Sequence, residues 1–277
     1  MREPRDVPAG LDPLTASAVA CLASILELDA ADVPAPPRGH PDPWTVWSNW
    51  LAGRGLGLVP IAEPAGFSWP GPWLAVLGGA DGLVCGVAFG SPPGLAWHPL
   101  GGPETFADLE AGYVVAAADV ALWSKDASRA ERVDGRVEAI AVAPRAEAPV
   151  RLVEEAVADA GRGLQGDRYH EGRGTFSKPH ANGHELTLVE AEVLEELGLA
   201  PVATRRNVVT RGIELNALVG RRFTIGAVEC IGRRWCEPCA HLERLTPGTL
   251  RPLVHRGGLR ADVLAGGVIR VGDQVSS

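Results

Sequence analysis

The sequence predicts an α+β protein of two units, in which a small α+β unit precedes a C-terminal β-barrel. In residues 1–130, helix patterns come first and short strand patterns follow. In the second half, many short strands with glycine turns accompany one helix pattern, which is typical of a closed or half-closed barrel. Residues 1–130 hold 6 Lys and Arg against 14 Asp and Glu, whereas residues 131–277 hold 20 of each.

The tryptophans follow the same division, since seven of the eight precede residue 131 and only Trp235 follows it. The charged stretch Lys125–Asp134 separates the two compositions. A length of 277 residues also suits two modest domains better than one. We therefore predict an N-terminal domain over residues 1–130 and a C-terminal domain over residues 133–277.

The overall composition excludes several classes of protein. Hydrophobic residues make up 46% and charged residues 22% of the chain, which argues against broad disorder. No apolar run approaches the ~20 residues of a membrane span, and the start lacks the apolar core of a secretory signal. The net charge of −8 argues against nucleic acid as a partner. Five cysteines are too few for a disulfide scaffold, so we expect a cytoplasmic protein.

The first unit begins with two helix patterns. The first covers Pro13–Leu28 and has Asp12 as its cap. The second covers Trp44–Ala52, between a proline-rich loop and a glycine stop. Strands bounded by glycine or proline are predicted at Leu56–Ile61, Trp73–Leu77, Leu83–Phe89 and Gly94–Trp97, and an apolar stretch at Tyr113–Trp123 closes the unit.

The second unit is predicted to contain one helix among short strands. The segment Gly163–His170 is rich in glycine and polar side chains and is predicted to be a loop. The helix is predicted at Leu186–Leu197, with Thr187 as its cap and Glu190 completing a capping box. Strands are predicted at Arg136–Val142, Asn207–Thr210, Arg222–Ile225, Val228–Ile231 and Val268–Val271.

Cys236 and Cys239 form the densest candidate site. Their spacing is that of half a zinc site or of a thiol redox pair. Cys230, His241 and His255 could complete a zinc site, although their spacings match no common pattern. A redox pair should follow a buried strand in a βαβ unit, and that context is missing. Two ordinary buried cysteines are the third interpretation.

Arginines surround these cysteines in the sequence. Arg233 and Arg234 precede Cys236, and a separate run contains Arg205 and Arg206. A nearby guanidinium lowers the pKa of a thiol and so favours the metal-binding thiolate. Guanidinium groups also bind phosphates in a bidentate way. Taken in isolation, the run Arg205–Asn207 favours a solvated strand end over a binding site.

Seven short motifs follow one another in the second unit: Gly163-Leu-Gln-Gly-Asp-Arg-Tyr, Leu186-Thr-Leu-Val-Glu190, Arg205-Arg-Asn-Val-Val, Gly212-Ile-Glu-Leu, Gly220-Arg-Arg-Phe, Cys236-Glu-Pro-Cys-Ala-His-Leu and Gly266-Gly-Val-Ile-Arg-Val-Gly-Asp273. In this order they resemble a MOSC domain, a family named after the C-terminal domain of molybdenum cofactor sulfurase. The resemblance covers roughly residues 133–277. It implies a mixed β-barrel whose pocket holds the molybdenum cofactor, molybdopterin.

The resemblance also implies the residues of the site. The second cysteine of the matching motif is the one associated with metal or sulfur, which makes Cys239 the catalytic residue and metal ligand. A pterin dithiolene brings two sulfurs to molybdenum, so a soft thiolate can complete the ligand set, and the cofactor phosphate needs arginine or backbone N–H donors. Asp167 is expected to hold Arg168 in place. The implied cofactor-binding residues are Arg205, Arg206, Asn207, Asp167 and Arg168.

The function implied by the resemblance is that of an oxidoreductase for N-hydroxylated or similar small substrates, supplied with electrons by a donor protein. The alternative is a carrier that holds the cofactor, or a persulfide on Cys239, without turnover of its own. Relatives that reduce N-hydroxylated compounds have an additional N-terminal barrel domain. Residues 1–130 do not resemble that domain.

Residues 20–34 and 50–58 faintly resemble small papain-like domains, in which a helix carries the nucleophilic cysteine. In this alignment the nucleophile position falls on Ser17, the histidine position near Cys85 and the acid position near His98. None of the three is the expected residue, so the domain is predicted to be a degenerate one. The alternative is a cysteine hydrolase that uses Cys21 with His98, because a helix N-terminus lowers the pKa of a thiol.

Overall fold

The computed structural model describes residues 8–40, 42–67, 69–79, 82–90, 93–100, 108–119, 134–175, 177 and 183–277. The chain divides into two compact units, Met1–Ala118 with Cys239–His241 and Asp119–Pro238 with Leu242–Ser277. Of the predicted boundary stretch Lys125–Asp134, all but the last residue lie outside the described residues. The boundaries at residues 130 and 133 therefore stay predictions.

The first unit packs two helices on an antiparallel sheet, as its element order predicts. Helix α1 starts at the predicted cap, where Thr15 N donates to Asp12 Oδ1 over 3.0 Å. The sheet has the order β1-β5-β2-β3-β4. The elements are α1 (Pro13–Leu26), α2 (Pro43–Ala52), β1 (Leu56–Ile61), β2 (Trp69–Gly79), β3 (Gly82–Gly90), β4 (Gly94–Trp97) and β5 (Leu109–Ala117).

The core of this unit lies between α1 and the strands β2 and β3. Leu22 of α1, Trp47 of α2 and Leu74 of β2 are fully buried in it. The predicted apolar stretch Tyr113–Trp123 contains the end of β5, and its residues 120–123 lie outside the described residues. None of the described helices has the length and apolar character needed to cross a membrane.

The second unit is a closed barrel of seven strands, which confirms the predicted fold class. The strands pair in the order β11-β10-β14-β13-β12-β16-β6, and β6 pairs with β11 to close the ring. The barrel is mixed, because β10 and β11 are parallel and the other neighbours antiparallel. Its strands are β6 (Asp134–Val142), β10 (Leu186–Glu190), β11 (Val208–Arg211), β12 (Arg222–Ile225), β13 (Val228–Trp235), β14 (Leu259–Ala265) and β16 (Gln274–Ser276).

Shorter elements surround the ring. β7 (Arg151–Val153) pairs with β6 outside the closed ring. A three-stranded sheet has the order β15-β8-β9. Its strands are β8 (Glu155–Asp159), β9 (Gly163–Leu164) and β15 (Gly267–Arg270), and the helices of the unit are α3 (Ala191–Glu196), α4 (Ala240–Leu245) and α5 (Leu250–Leu253).

The predicted helix at Leu186–Leu197 is wrong in its first part. Leu186–Glu190 is the strand β10, buried at every residue, and α3 begins only at Ala191. Thr187 does not cap a helix, because its hydroxyl donates to Asn207 Oδ1 over 2.8 Å. Pairing with a strand on each side overrides the local capping pattern, and a short, continuous apolar run is typical of such a buried strand.

Candidate functional site

Cys236 and Cys239 lie at the point where β13 leaves the barrel. β13 ends at Trp235 and α4 begins at Ala240, so the two cysteines bound a four-residue turn, which we name the cysteine turn. Both thiols are buried and free of disulfide bonds. The turn is attached to the barrel by its first residue, whose N–H donates to Gly258 O over 2.7 Å.

Arg206 also holds the cysteine turn. Its Nε donates to Gly257 O over 3.0 Å, and its Nη2 donates to Cys236 O over 2.9 Å and to Glu237 O over 3.2 Å. All three acceptors are neutral carbonyls, and the guanidinium is only 7% exposed. Among the described residues, Nη1 has no hydrogen-bond acceptor and no carboxylate pairs with this side chain. Because a buried charge without a counter-charge is costly, this arginine is suited to an anionic ligand.

Asp167 and Arg168 form a buried ion pair in contact with the backbone of Arg205. Asp167 Oδ2 accepts from Arg168 Nη1 and from Ala143 N, both over 3.0 Å. Arg168 Nη2 donates to Arg205 O over 2.7 Å, and its guanidinium lies 4.7 Å from the centre of the Tyr169 ring. Asp167 thus holds Arg168 as expected, and a contact of either residue with a cofactor stays a prediction.

Arg205 lies between Arg168, which donates to its carbonyl oxygen, and Arg206, the next residue in the chain. Its backbone is left-handed, with φ of 56°, which costs a non-glycine residue about 1–2 kcal/mol. Its guanidinium donates to Ala146 O over 2.6 Å and to Ala148 O over 3.1 Å. Burial, and then the charge of Arg168, lower the pKa of Arg205. Of Arg168, Arg205 and Arg206, only the first is ion-paired with a described carboxylate, so the cluster carries excess positive charge.

The side chain of Asn207 forms its hydrogen bonds within the barrel. Its Oδ1 accepts from Thr187 N over 3.2 Å and from the Thr187 hydroxyl over 2.8 Å. Its Nδ2 donates to Ala141 O over 3.3 Å, and the residue is fully buried. The side chain thus ties β6, β10 and the start of β11 together. The cofactor-binding role that the resemblance implies for Asn207 gains no support from this geometry.

Sequence reasoning missed the contact between Glu237 and His255. Glu237 Oε2 accepts from His255 N over 2.8 Å, and Oε1 lies 2.5 Å from His255 Nδ1. The two side chains are 8% and 5% exposed. The signal available in the sequence was a glutamate between two cysteines, but its partner is 18 residues further on. His255 was considered there only as a zinc ligand.

The two alternatives for the cysteine pair gain no support. In the described part of the chain, no group of three or more His, Cys, Asp or Glu side chains is placed to hold a metal ion. Burial raises the pKa of Cys230 to about 12, and its side chain belongs to the barrel core. β13 is an antiparallel barrel strand, not the parallel strand of a βαβ redox unit.

The arginines that precede the turn contact other residues. Arg233 Nε donates to Asp262 Oδ2 over 2.6 Å, and Arg234 Nη2 lies 3.1 Å from His184 Nε2. The cation that reaches the cysteine turn is therefore Arg206, from the separate arginine run. Position in the sequence was a poor guide to which guanidinium approaches the turn.

In the first unit, the geometry contradicts a nucleophilic Cys21. The thiol is fully buried in the middle of α1, and this burial raises its pKa well above the usual value. Ser17 and Cys85 do lie together, since Cys85 N donates to Ser17 Oγ over 2.8 Å. His98 Nδ1 accepts from Leu100 N over 3.2 Å, and burial lowers the pKa of this histidine. The papain-like resemblance is not confirmed.

Comparisons with known proteins found, among others, two solved structures and one family model that resemble parts of this chain. The YuaD protein from Bacillus subtilis is 18% identical, with a TM-score of 0.43, and the alignment covers 52% of this chain and 96% of that chain. YiiM from Escherichia coli is 18% identical over 51% of this chain and 68% of that one, with a TM-score of 0.38. No curated protein matches the sequence. The family model described as MOSC domain matches residues 180–276. This match covers 97 of the 277 residues, and over that range the chain is similar to a MOSC domain.

Proposed function

We propose that this protein binds the molybdenum cofactor through Cys239 and is an oxidoreductase for N-hydroxylated or similar small substrates. The observation that carries this proposal is Arg206, a buried guanidinium that donates, among the residues the structure describes, only to neutral carbonyls, two of them in the turn that ends at Cys239. A thiol and an uncompensated cation on the same turn suit a ligand that combines a soft metal with an anionic group.

The donor set fits the cofactor in charge and in chemistry. Arg206 Nη1 keeps two N–H groups that donate to no described residue, as a phosphate or pterin oxygen requires. The buried hydroxyl of Thr204, two residues earlier, also has no hydrogen-bond partner in the described part of the chain. When bound, the cofactor supplies two dithiolene sulfurs and a metal that can accept and return electrons. Asn207 does not fit, because its side chain is committed to the strands.

In this proposal each residue of the site has a defined role. Cys239 loses its proton when it binds the metal, and Arg206 stabilises negative charge beside it. Arg205 would add a second positive charge, and Asp167 fixes the guanidinium of Arg168 through its Oδ2. Electrons would come from a separate donor protein, and the substrate would be a small molecule.

The proposal is tested by the content of the protein purified from a host that makes the cofactor. We expect about one molybdenum and one pterin per chain, measured by elemental analysis and pterin fluorescence. Cys239→Ala should lose most of both, and Cys236→Ala, the matched control in the same turn, should retain them. Full occupancy by zinc with no pterin would contradict the proposal.

Turnover separates the enzyme from a carrier. With a chemical reductant as electron source, the loaded protein should convert an N-hydroxylated amidine to the amidine, and Cys239→Ala should not. Stable cofactor binding without any conversion would favour the carrier of cofactor or persulfide sulfur instead.

A further inference from the structure

We infer that Glu237 and His255 are positioning residues, which fix the cysteine turn so that Cys239 is presented to the metal. The inference rests on the proposed function and deepens it. Glu237 lies inside the turn, and His255 begins the segment His255–Gly258, which we name the glycine segment. Neither residue is proposed to bind the metal.

A single carboxylate contacts two parts of His255 and forms a hydrogen bond with one of them, the backbone N–H. Glu237 Oε2 accepts the backbone N–H over 2.8 Å, while Oε1 lies 2.5 Å from the ring nitrogen Nδ1. Both side chains are more than nine-tenths buried, so water does not compete for these contacts. The contact therefore locks the middle of the cysteine turn to the start of the glycine segment.

The other end of the glycine segment is attached to the same turn. Cys236 N donates to Gly258 O over 2.7 Å, and Arg206 joins Gly257 O to Cys236 O. A Cβ atom at Gly257 would lie 2.3 Å from Cys236 O, and one at Gly258 would lie 1.8 Å from Leu188 O. The two segments are thus in backbone contact, and a shift of one must move the other.

The backbone of His255 indicates that its side chain has a task. Its φ is 59°, in the left-handed region that glycine adopts without strain. The ring packs edge-on against Trp235 with centroids 4.8 Å apart, and His255 O accepts from Asn216 Nδ2 over 2.7 Å. Strain of this kind is retained where the surrounding structure and the function both fix the residue.

The effect reaches Cys239 through one residue. Pro238 lies between Glu237 and Cys239, and its ring fixes its own φ, so it transmits the orientation of the turn with little freedom. Outer residues that orient a metal ligand typically change metal affinity by about 10–100-fold when they are removed. We expect an effect of that size here.

The experiment compares full-length proteins purified from the cofactor-producing host. The variants are Glu237→Ala, Glu237→Gln and His255→Gly, with Glu171→Gln as the matched control. Glu171 also contacts a histidine, with Oε1 2.9 Å from His170 Nδ1, but it is exposed and lies outside the turn. Glu237→Ala and His255→Gly should lower molybdenum affinity about 10–100-fold, while Glu237→Gln keeps an acceptor for His255 N and should retain more of it.

Thermal unfolding separates positioning from simple stability. Glycine relieves the left-handed strain but removes a buried ring, so a purely structural role predicts that His255→Gly lowers the melting temperature and that loading falls only as far as folding does. Positioning predicts that the protein still folded at the assay temperature loses loading as well. If Glu237→Ala does not fold, Glu237→Gln with His255→Gly decides the question.

A second measurement does not depend on the cofactor. The alkylation rate of Cys239 by iodoacetamide is followed in metal-free protein, with mass spectrometry distinguishing it from Cys236. Glu237→Ala should change this rate about tenfold and Glu171→Gln should not. If the unchanged protein binds no molybdenum, the proposed function fails, and the alkylation rate still tests positioning. Folded Glu237→Ala with unchanged Cys239 alkylation and unchanged loading would overturn the inference.

Discussion

The two buried pairs of cysteines in this protein differ in what surrounds them. Cys21 and Cys85 lie in the apolar core of the first unit, where the one polar contact described is with the Ser17 hydroxyl. The turn that carries Cys236 and Cys239 is instead fixed by a buried guanidinium and by a glutamate–histidine contact. Burial alone therefore does not identify a functional thiol, and a buried charge beside it is the more informative feature.

The strongest test of the difference between the two cysteine pairs removes the positive charge of Arg206. Arg206→Gln keeps hydrogen-bond donors but loses the cation, so we expect cofactor affinity to fall about 10–100-fold. Molybdenum and pterin content measure the loss. Arg211→Gln is the control, since Arg211 forms a partly exposed network with Glu138 and Glu195. Equal loading of the two variants would remove the distinction between the cysteine pairs.

The second test uses pH. Burial raises the pKa of both Cys21 and Cys85 above that of a thiol in water, so the folded unit keeps its thiols neutral at pH values where the unfolded chain ionises. Stability should be fully present below pH 9.0 and fall above it, by up to about 1.4 kcal/mol per pH unit for each thiol.

Denaturant unfolding between pH 8 and 10 measures this slope, and Cys21→Ala with Cys85→Ala should reduce it. A slope that is identical in the unchanged protein and the double variant would show that these thiols do not control the alkaline loss of stability.

The smallest effect is expected for Cys21→Ala alone. Loss of one buried sulfur leaves a small cavity, so the free energy of unfolding should fall by only about 1 kcal/mol. Cofactor content should not change. Loss of molybdenum in this variant, at unchanged stability, would assign the first cysteine pair a role that its surroundings do not support.

Sequence patterns predicted the first unit well because glycine and proline mark the ends of its strands. β1 and β4 have the predicted bounds. β14 was missed, because Arg260 and Asp262 interrupt its apolar pattern and charged residues normally face water. Here both are buried, and Asp262 accepts from Gly183 N over 2.6 Å and from Arg233. Long-range partners of this kind are not encoded in a local period.

The sequence motifs predicted which residues belong to the candidate site, but they did not predict which contacts those residues make. The motifs indicated Cys239 and the run Arg205–Asn207, and the structure brings Arg206 onto the cysteine turn. Strand register decides that Arg206 reaches the turn while Asn207 points into the barrel wall. No spacing rule gives that outcome, because it depends on how β10 and β11 align.

Closure of the ring by β6 and β11 has a consequence for how such a protein can change. Each of its seven strands pairs with a neighbour on both sides within the ring, so no ring strand can be replaced without breaking two sets of backbone hydrogen bonds. New chemistry must then arise in the connections between strands, and every residue assigned here to metal or anion recognition lies in one of them. Those connections can be exchanged while the scaffold beneath them is inherited unaltered.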